Sequence, residues 1–327
     1  NMDKLEQIRK DNLTRAGIIK GSTKTKKVGI VWLSYNVHGN EANSTEAAMK
    51  TLHALADKSN INTQEWLKNT VVIIDPSVNP DGRDRYANWY RMTANRWPDA
   101  DPLGREHMEP WPGGRTNHYY FDLNRDWAWQ TQIESQQRII KYNEWLPHIH
   151  VDFHEQGYNS PYFFAPAAKP LHQYITDWQR DFQKTIGLNH AKYFDRNNWL
   201  YFTKESFDLL YPSYGDTYPT YNGAIGMTYE QAGHSRGGLA IETEDGDTLT
   251  LADRLEHHYT TGLSTIEVAS KNVEKMVNEF SDFFNPNRKE LVDTFKSYVI
   301  TRSNPTDKLN HLKSWLDNNG IEHRTSD

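Results

Sequence analysis

Short apolar, β-branched segments that alternate with amphipathic ones predict an α/β fold, a layered central sheet with helices on both faces. Three observations carry this expectation. Residues 28–35 and 71–78 are near-continuous apolar runs, the pattern of strands buried on both faces. Each runs into a polar turn segment. Between and after them lie stretches with helical periodicity and helix-start signals.

In chain order, residues 1–27 are charged and weakly periodic, with an exposed turn over 21–27. The first strand, 28–35, leads into His38, Gly39, Asn40 and Glu41. Asn43, Ser44, Thr45 and Glu46 have the pattern of a capping box opening a helix over 44–57. The second strand, 71–78, runs into Asn79, Pro80, Asp81 and Gly82, strong turn chemistry. Residues 83–120 are rich in Arg, Trp, Pro and Gly and read as one long loop. Loops of that length are usually functional or disordered, and the aromatic content argues against disorder. A helix is expected over 131–146, an alternating strand over 148–154 and an amphipathic helix over 171–186. A Tyr/Pro/Gly loop over 211–222 precedes a third buried-type strand at 224–230, a fourth strand follows at 239–244, and 251–280 reads as one long helix. The character changes after about residue 284. The expected division is a catalytic domain over 1–283, then a linker and the start of a further module over 284–327.

Bulk composition removes several function classes. Charged residues make 24% of the chain, and no stretch approaches the roughly 18 apolar residues of a membrane span. A formal net charge of −6 provides no electrostatic footprint for nucleic acid. There is no cysteine, so thiolate catalysis, disulfides and cysteine-based zinc sites are absent, while the compartment stays open. Aromatic residues reach 13%, suited to cores and to lining clefts.

The polar residues that remain fall where an α/β sheet places ligands. His38, His154 and Glu230 lie at or just past the carboxyl ends of expected strands. Imidazole and carboxylate are good zinc ligands, and a catalytic zinc takes three protein ligands. His38 with Glu41 alone is more often a surface pair, since 14 histidines make chance spacings common. Its place after a buried strand and before a helix start weakens that reading, and His154 would be the third ligand, although a lone histidine at a strand end is more often a hydrogen-bonded structural residue. His148, His150, Asp152 and His154 alternate along one strand and share a face, a pattern that a two-metal hydrolase could also use. His148 and His150 are expected to be partly exposed near the strand start. Asn124 beside Arg125 offers a planar fork and a neutral donor for a carboxylate. Glu230, at the end of an apolar strand, could be tuned as a general base.

Taken together, these residues resemble the zinc carboxypeptidase (metallocarboxypeptidase) family. The resemblance is one of order: His38 to Glu41, then Asn79 to Gly82, then Tyr90 with Arg91, then Asp122 to Arg125, then His154, then Glu230. It covers roughly residues 28–245. It implies a mixed central sheet with helices on both faces and one Zn²⁺ per chain held by His38, Glu41 and His154. It further implies that Asp122 accepts the second ring N–H of His38, that Asn124 and Arg125 grip the substrate's terminal carboxylate, and that Glu230 moves a proton from attacking water to the leaving amine. Arg91, or else Arg96, would stabilise the oxyanion, and Tyr211, with Tyr214 next, would close over the substrate. The implied partner is a peptide with a free C-terminal carboxylate.

The sequence departs from the family's pattern in places. Asn40 stands where many members have Arg. The segment before the first strand is short, so opening strands of the domain are expected to be missing. The insertion over 99–114 resembles the peptidase domain of larger exported bacterial members, which implies a periplasmic or extracellular location. Asp216 could favour a basic terminal residue. Three rival functions stay open at this stage: a peptidoglycan stem-peptide peptidase or amidase on the same scaffold, a two-metal hydrolase built on 148–154, and a non-catalytic binding module with an aromatic cleft.

Overall fold

The computed structural model describes residues 2–288, 295 and 297–325. The chain runs α1 (Leu5–Arg15), β1 (Gly29–Tyr35), α2 (Asn43–Ala56), α3 (Ile61–Trp66), β2 (Thr70–Asp75), α4 (Pro80–Thr93), α5 (Ile133–Trp145) and β3 (Ile149–Gln156). It continues through β4 (Tyr162–Phe163), β5 (Ala168–Leu171), α6 (Asp177–Asn197), β6 (Tyr201–Phe202), β7 (Asp208–Leu209), α7 (Thr217–Tyr221) and β8 (Ile225–Ala232). It ends with β9 (Ala240–Glu242), β10 (Thr248–Thr250), α8 (Leu251–Lys271), α9 (Val273–Phe283) and α10 (Thr306–Asn318).

The main sheet is mixed, in the order β2-β1-β3-β8-β4-β6. Strands β2, β1, β3 and β8 are parallel, and β4 runs antiparallel to β8. Side-chain alternation divides β1 between two cores. Val31, Leu33 and Tyr35 pack with residues of α2, α6 and α8, including Ala48, Phe182, Ile186 and Ile266. Trp32 faces the opposite layer with Trp127, Ile139 and Tyr142, the last two from α5, and Phe280 of α9. Helices therefore cover both faces, as the alternating pattern predicts. Tyr35 stacks on Phe153 of β3 at 4.2 Å between ring centroids, a contact worth about 0.5–1.5 kcal/mol beyond its burial.

Several local expectations are corrected. The capping box at Asn43 to Glu46 does not form, because α2 starts one residue earlier, with Ala42 at its cap position. The backbone N–H of Asn43 is instead satisfied by the Glu155 carboxylate at 3.1 Å, and Glu46 pairs with Arg83. Residues 80–93 are helical rather than loop. Asn79 caps that helix by accepting from Gly82 N at 2.9 Å, and Pro80 occupies the first turn, where its missing N–H costs nothing. The amphipathic helix begins later than expected, at Asp177, behind a capping box of Thr176 and Gln179. The segment around 239–244 pairs with β10 in a separate two-stranded sheet. Helix 251–280 is two helices, broken at Asn272. His148 and His150 are fully buried, not partly exposed, because α5 and α9 cover that face.

One close approach positions the site. A Cβ on Gly39 would collide with the backbone of Gly82 and Arg83, so the turn after β1 can lie against the start of α4 only as glycine.

Two buried histidines give the fold a pH dependence. Burial pushes the pKa of both His148 and His190 down to about 3. Both stay neutral when folded and protonate near pH 6.5 when unfolded, so the unfolded state binds more protons between those values. Their stabilising contribution is complete above about pH 6.5 and declines progressively as pH falls toward 3, by up to about 1.4 kcal/mol per pH unit for each histidine. Urea unfolding in chelator at pH 7, 6 and 5 should show this slope, and His190→Phe should remove its share. An unchanged slope in that variant would contradict the assignment.

Candidate metal centre

His38 and Glu41 sit on the turn after β1, and His154 sits near the carboxyl end of β3. Parallel pairing of β1 with β3, Tyr35 opposite Phe153, brings the two segments side by side. The ligand atoms of His38, Glu41 and His154 lie within 4.8 Å of one another, and all three side chains are buried. Among the described residues this is the only group of His, Asp and Glu gathered closely enough to hold a metal ion. His148 and His150 form no second such group, which removes the structural basis of the two-metal alternative.

The hydrogen bonds orient both rings. His38 Nε2 lies 3.0 Å from Asp122 Oδ1, and His154 Nε2 lies 2.8 Å from Asp152 Oδ2. Carboxylates accept, so with each Nε2–H given to its carboxylate each Nδ1 would offer its lone pair inward to a metal. The two Nδ1 atoms face each other at 3.2 Å, with Glu41 oxygens 2.7 Å and 3.0 Å away. Two lone pairs and a carboxylate directed at one point call for a cation. The His₂Glu donor set is that of catalytic zinc, and the residues present fit a single Zn²⁺.

The electrostatics agree. Burial opposes ionisation of Glu41, but the two imidazoles overcome it and hold the carboxyl well below its ordinary range. Burial likewise disfavours the His154 imidazolium, and Asp152 with Glu41 push its pKa well above the usual value. Asp122 is partly desolvated, yet the bond to His38 and the guanidinium groups of Arg115 and Arg125 keep it ionised far below its usual range.

Around the cluster the other expected residues are unevenly placed. Glu230 lies directly opposite His154 in the β3–β8 register, and burial raises its pKa well above the ordinary carboxyl value. Asn124 is committed inside the protein: its Nδ2 lies 3.2 Å from His154 Nε2, and its Oδ1 accepts from Gly215 N at 2.8 Å. Arg125 is half exposed, and its guanidinium lies over the Tyr214 ring at 4.6 Å. Tyr211 stacks edge-on against Tyr214, and its hydroxyl accepts from Trp129 Nε1 at 2.8 Å. Trp129 in turn stacks on Trp315 of α10, which docks on the body through Trp315 and Asn319. Asp216 accepts from the hydroxyls of Thr217 and Thr228, and burial raises its pKa to about 6.

The arginine expectation changes most. Arg91 lies exposed on α4, lining a cleft with Glu46, Arg83, Tyr86, Tyr90 and Leu251. Arg96 is exposed and lies over Trp97. The guanidinium that reaches the cluster belongs to Arg115, 3.3 Å from His38 Nδ1 and 3.8 Å from Glu41 Oε1. Its Nε and a terminal nitrogen both donate to Asp122 Oδ2, at 3.1 Å and 2.9 Å. The signal was a Gly-Gly-Arg turn seven residues before Asp122, hidden inside the long loop. His234 was also missed, and its Nδ1 lies 3.6 Å from Glu41 Oε1. Only its position four residues beyond Glu230 could have marked it.

The carboxylates behind the rings should govern metal affinity. Asp122→Asn and Asp152→Asn are each expected to weaken zinc binding by about 10–100-fold in chelator competition while the chain stays folded. Unchanged affinity in both would show that the ring orientation is not set this way.

A family model described as zinc carboxypeptidase matches residues 11–192. No functionally curated protein matches the sequence. Among solved structures, a metallo-carboxypeptidase from Pseudomonas aeruginosa in complex with (2-guanidinoethylmercapto)succinic acid is similar with a TM-score of 0.54 at 12% identity, over 77% of this chain and 59% of that one. A metallo-carboxypeptidase from Burkholderia cenocepacia is similar with a TM-score of 0.51 at 16% identity, over 78% and 60%. This chain therefore spans about three fifths of the length of these structures, which share its fold. With more than half of its length matched by the family model, the chain belongs to the zinc carboxypeptidase family.

Proposed function

We propose that the protein is a zinc-dependent metallocarboxypeptidase that hydrolyses the last peptide bond of peptides with a free terminal carboxylate. The observation that carries this reading is the buried His38–Glu41–His154 cluster with Glu230 one strand away. The three residues would hold Zn²⁺, which when bound supplies Lewis-acid polarisation of the scissile carbonyl.

The chain's own residues supply the remaining steps. Glu230, with a pKa raised by burial, is suited to take a proton from the attacking water and return it to the leaving amine. Arg115, already directed at the cluster, replaces Arg91 in this reading as the donor to the oxyanion. Arg125, half exposed beside Tyr214 and donating to Asn124 O at 3.1 Å, would bind the terminal carboxylate with its outward nitrogens. Asn124 accepts from the Gly215 backbone and lies against His154 rather than reaching outward. Tyr211 would cover the bound end of the substrate after leaving Trp129.

Zinc content and release of C-terminal residues from a peptide library test the proposal together. One zinc per chain with sequential release is expected. Glu230→Gln should lower kcat by about 10²–10⁴-fold with zinc retained. Arg115→Ala should lower kcat by about 10²–10³-fold. Arg125→Ala should raise KM for free-carboxylate peptides and narrow the preference over amidated ones. A zinc-loaded protein that releases nothing from any peptide would refute the proposal.

A further inference from the structure

Glu41 has two oxygens with different surroundings. Oε2 accepts from the backbone N–H of Glu155 at 2.9 Å, so one side of the carboxylate is fixed by β3. Oε1 lies 2.7 Å from His38 Nδ1. When His38 gives the Nδ1 lone pair to a metal, that nitrogen has no hydrogen for Oε1. Two other nitrogens are near, each just beyond hydrogen-bond distance: Arg115 at 3.8 Å and His234 Nδ1 at 3.6 Å. Arg115 already donates twice to Asp122. His234 Nδ1 is buried and has no hydrogen-bond partner among the described residues.

The turn that carries His234 is built and strained. Gly233 has φ 139°, and His234 itself has φ 47°, a left-handed conformation uncommon for a residue with a side chain. A Cβ on Gly233 would collide with the Glu155 carboxylate and the Arg254 guanidinium. Those two form a buried ion pair at 3.2 Å, and Arg254 also bonds Gly238 O. Gly233 N donates to Gln156 O at 3.0 Å, and Arg236 reaches across to Pro102 O at 2.6 Å in the long loop. His107 approaches Arg236 O at 2.5 Å from that loop as well. The surrounding structure thus holds the 233–238 turn at both ends, and the one side chain it directs at the cluster is the imidazole of His234.

We infer that His234 is a positioning residue for Glu41: its Nδ1–H is the donor that orients Glu41 Oε1 within the metal-binding set. The inference rests on reading His38, Glu41 and His154 as a zinc site. It assigns to the 233–238 turn a role in metal retention that no strand-end residue supplies.

Zinc affinity measured by competition with a chromophoric chelator tests it on the intact chain, with circular dichroism to confirm folding. His234→Ala should raise the zinc dissociation constant about 10-fold. His234→Asn should restore near-wild-type affinity, because Asn tolerates the left-handed backbone and carries an amide nitrogen where Nδ1 stands. His234→Gln, whose amide reaches only as far as Nε2, should behave like His234→Ala. Unchanged affinity in His234→Ala, or failure of His234→Asn to restore it, overturns the inference. If the wild-type chain itself binds no zinc, the metal-site reading fails instead, and the two failures are distinct.

Discussion

Two imidazole nitrogens facing one another at 3.2 Å, with a buried carboxylate alongside, constitute the interaction on which the rest of this structure depends. Gathering two imidazoles and a carboxylate in a low-dielectric interior is costly unless a proton or a metal ion sits between them. It persists because each ring is anchored from behind, His38 by Asp122 and His154 by Asp152. The carboxylates fix the tautomer, raise the basicity of the inward nitrogens and leave the cluster with a strong demand for a cation. Much of the surrounding polar architecture supports these few contacts, from the Arg115–Asp122 bonds to the Gly215 N–H held by Asn124 beside His154.

The sheet supplies the precision. Parallel β3 and β8 place His154 and Glu230 directly opposite, so the third ligand and the candidate base occupy neighbouring positions on one face. A slip of one residue would turn Glu230 into the opposite core, among Phe153 and Phe182. The packed aromatic layers thus resist the displacement that would separate the chemical groups. Rigid strands and a glycine-tight turn at Gly39 hold the donors, while Arg125, Tyr211 and Tyr214 sit on the more exposed rim.

The long segment after α4 has a different job from an ordinary connector. It delivers Arg115 to the cluster, contacts the 233–238 turn through Pro102 and His107, and ends at Asp122 behind His38. Its hydrogen bonds tie together pieces of the site that lie more than a hundred residues apart in the chain. The C-terminal helix α10 also meets this neighbourhood, through Trp315 against Trp129 and Ala128.

The sheet strands and the cluster residues were legible in the sequence because their causes are local. A strand buried on both faces must be apolar throughout, so residues 28–35 announce themselves by type, while His38, Glu41, His154 and Glu230 stood out only through their places at strand ends and the order of the motifs around them. The start of α2 was not legible, because the group satisfying Asn43 N is Glu155, more than a hundred residues away. Arg115 and His234 were hidden for the same reason: an arginine in a loop or a histidine after a strand has no local signature until folding brings it to Glu41. Composition and periodicity set the fold class and excluded several chemistries, and the order of the motifs, through the family resemblance, pointed to the one this chain can hold. Only the tertiary structure decided which guanidinium and which third imidazole stand beside the carboxylate, since contacts across long loops depend on the packing of the whole chain and not on the spacing of neighbours.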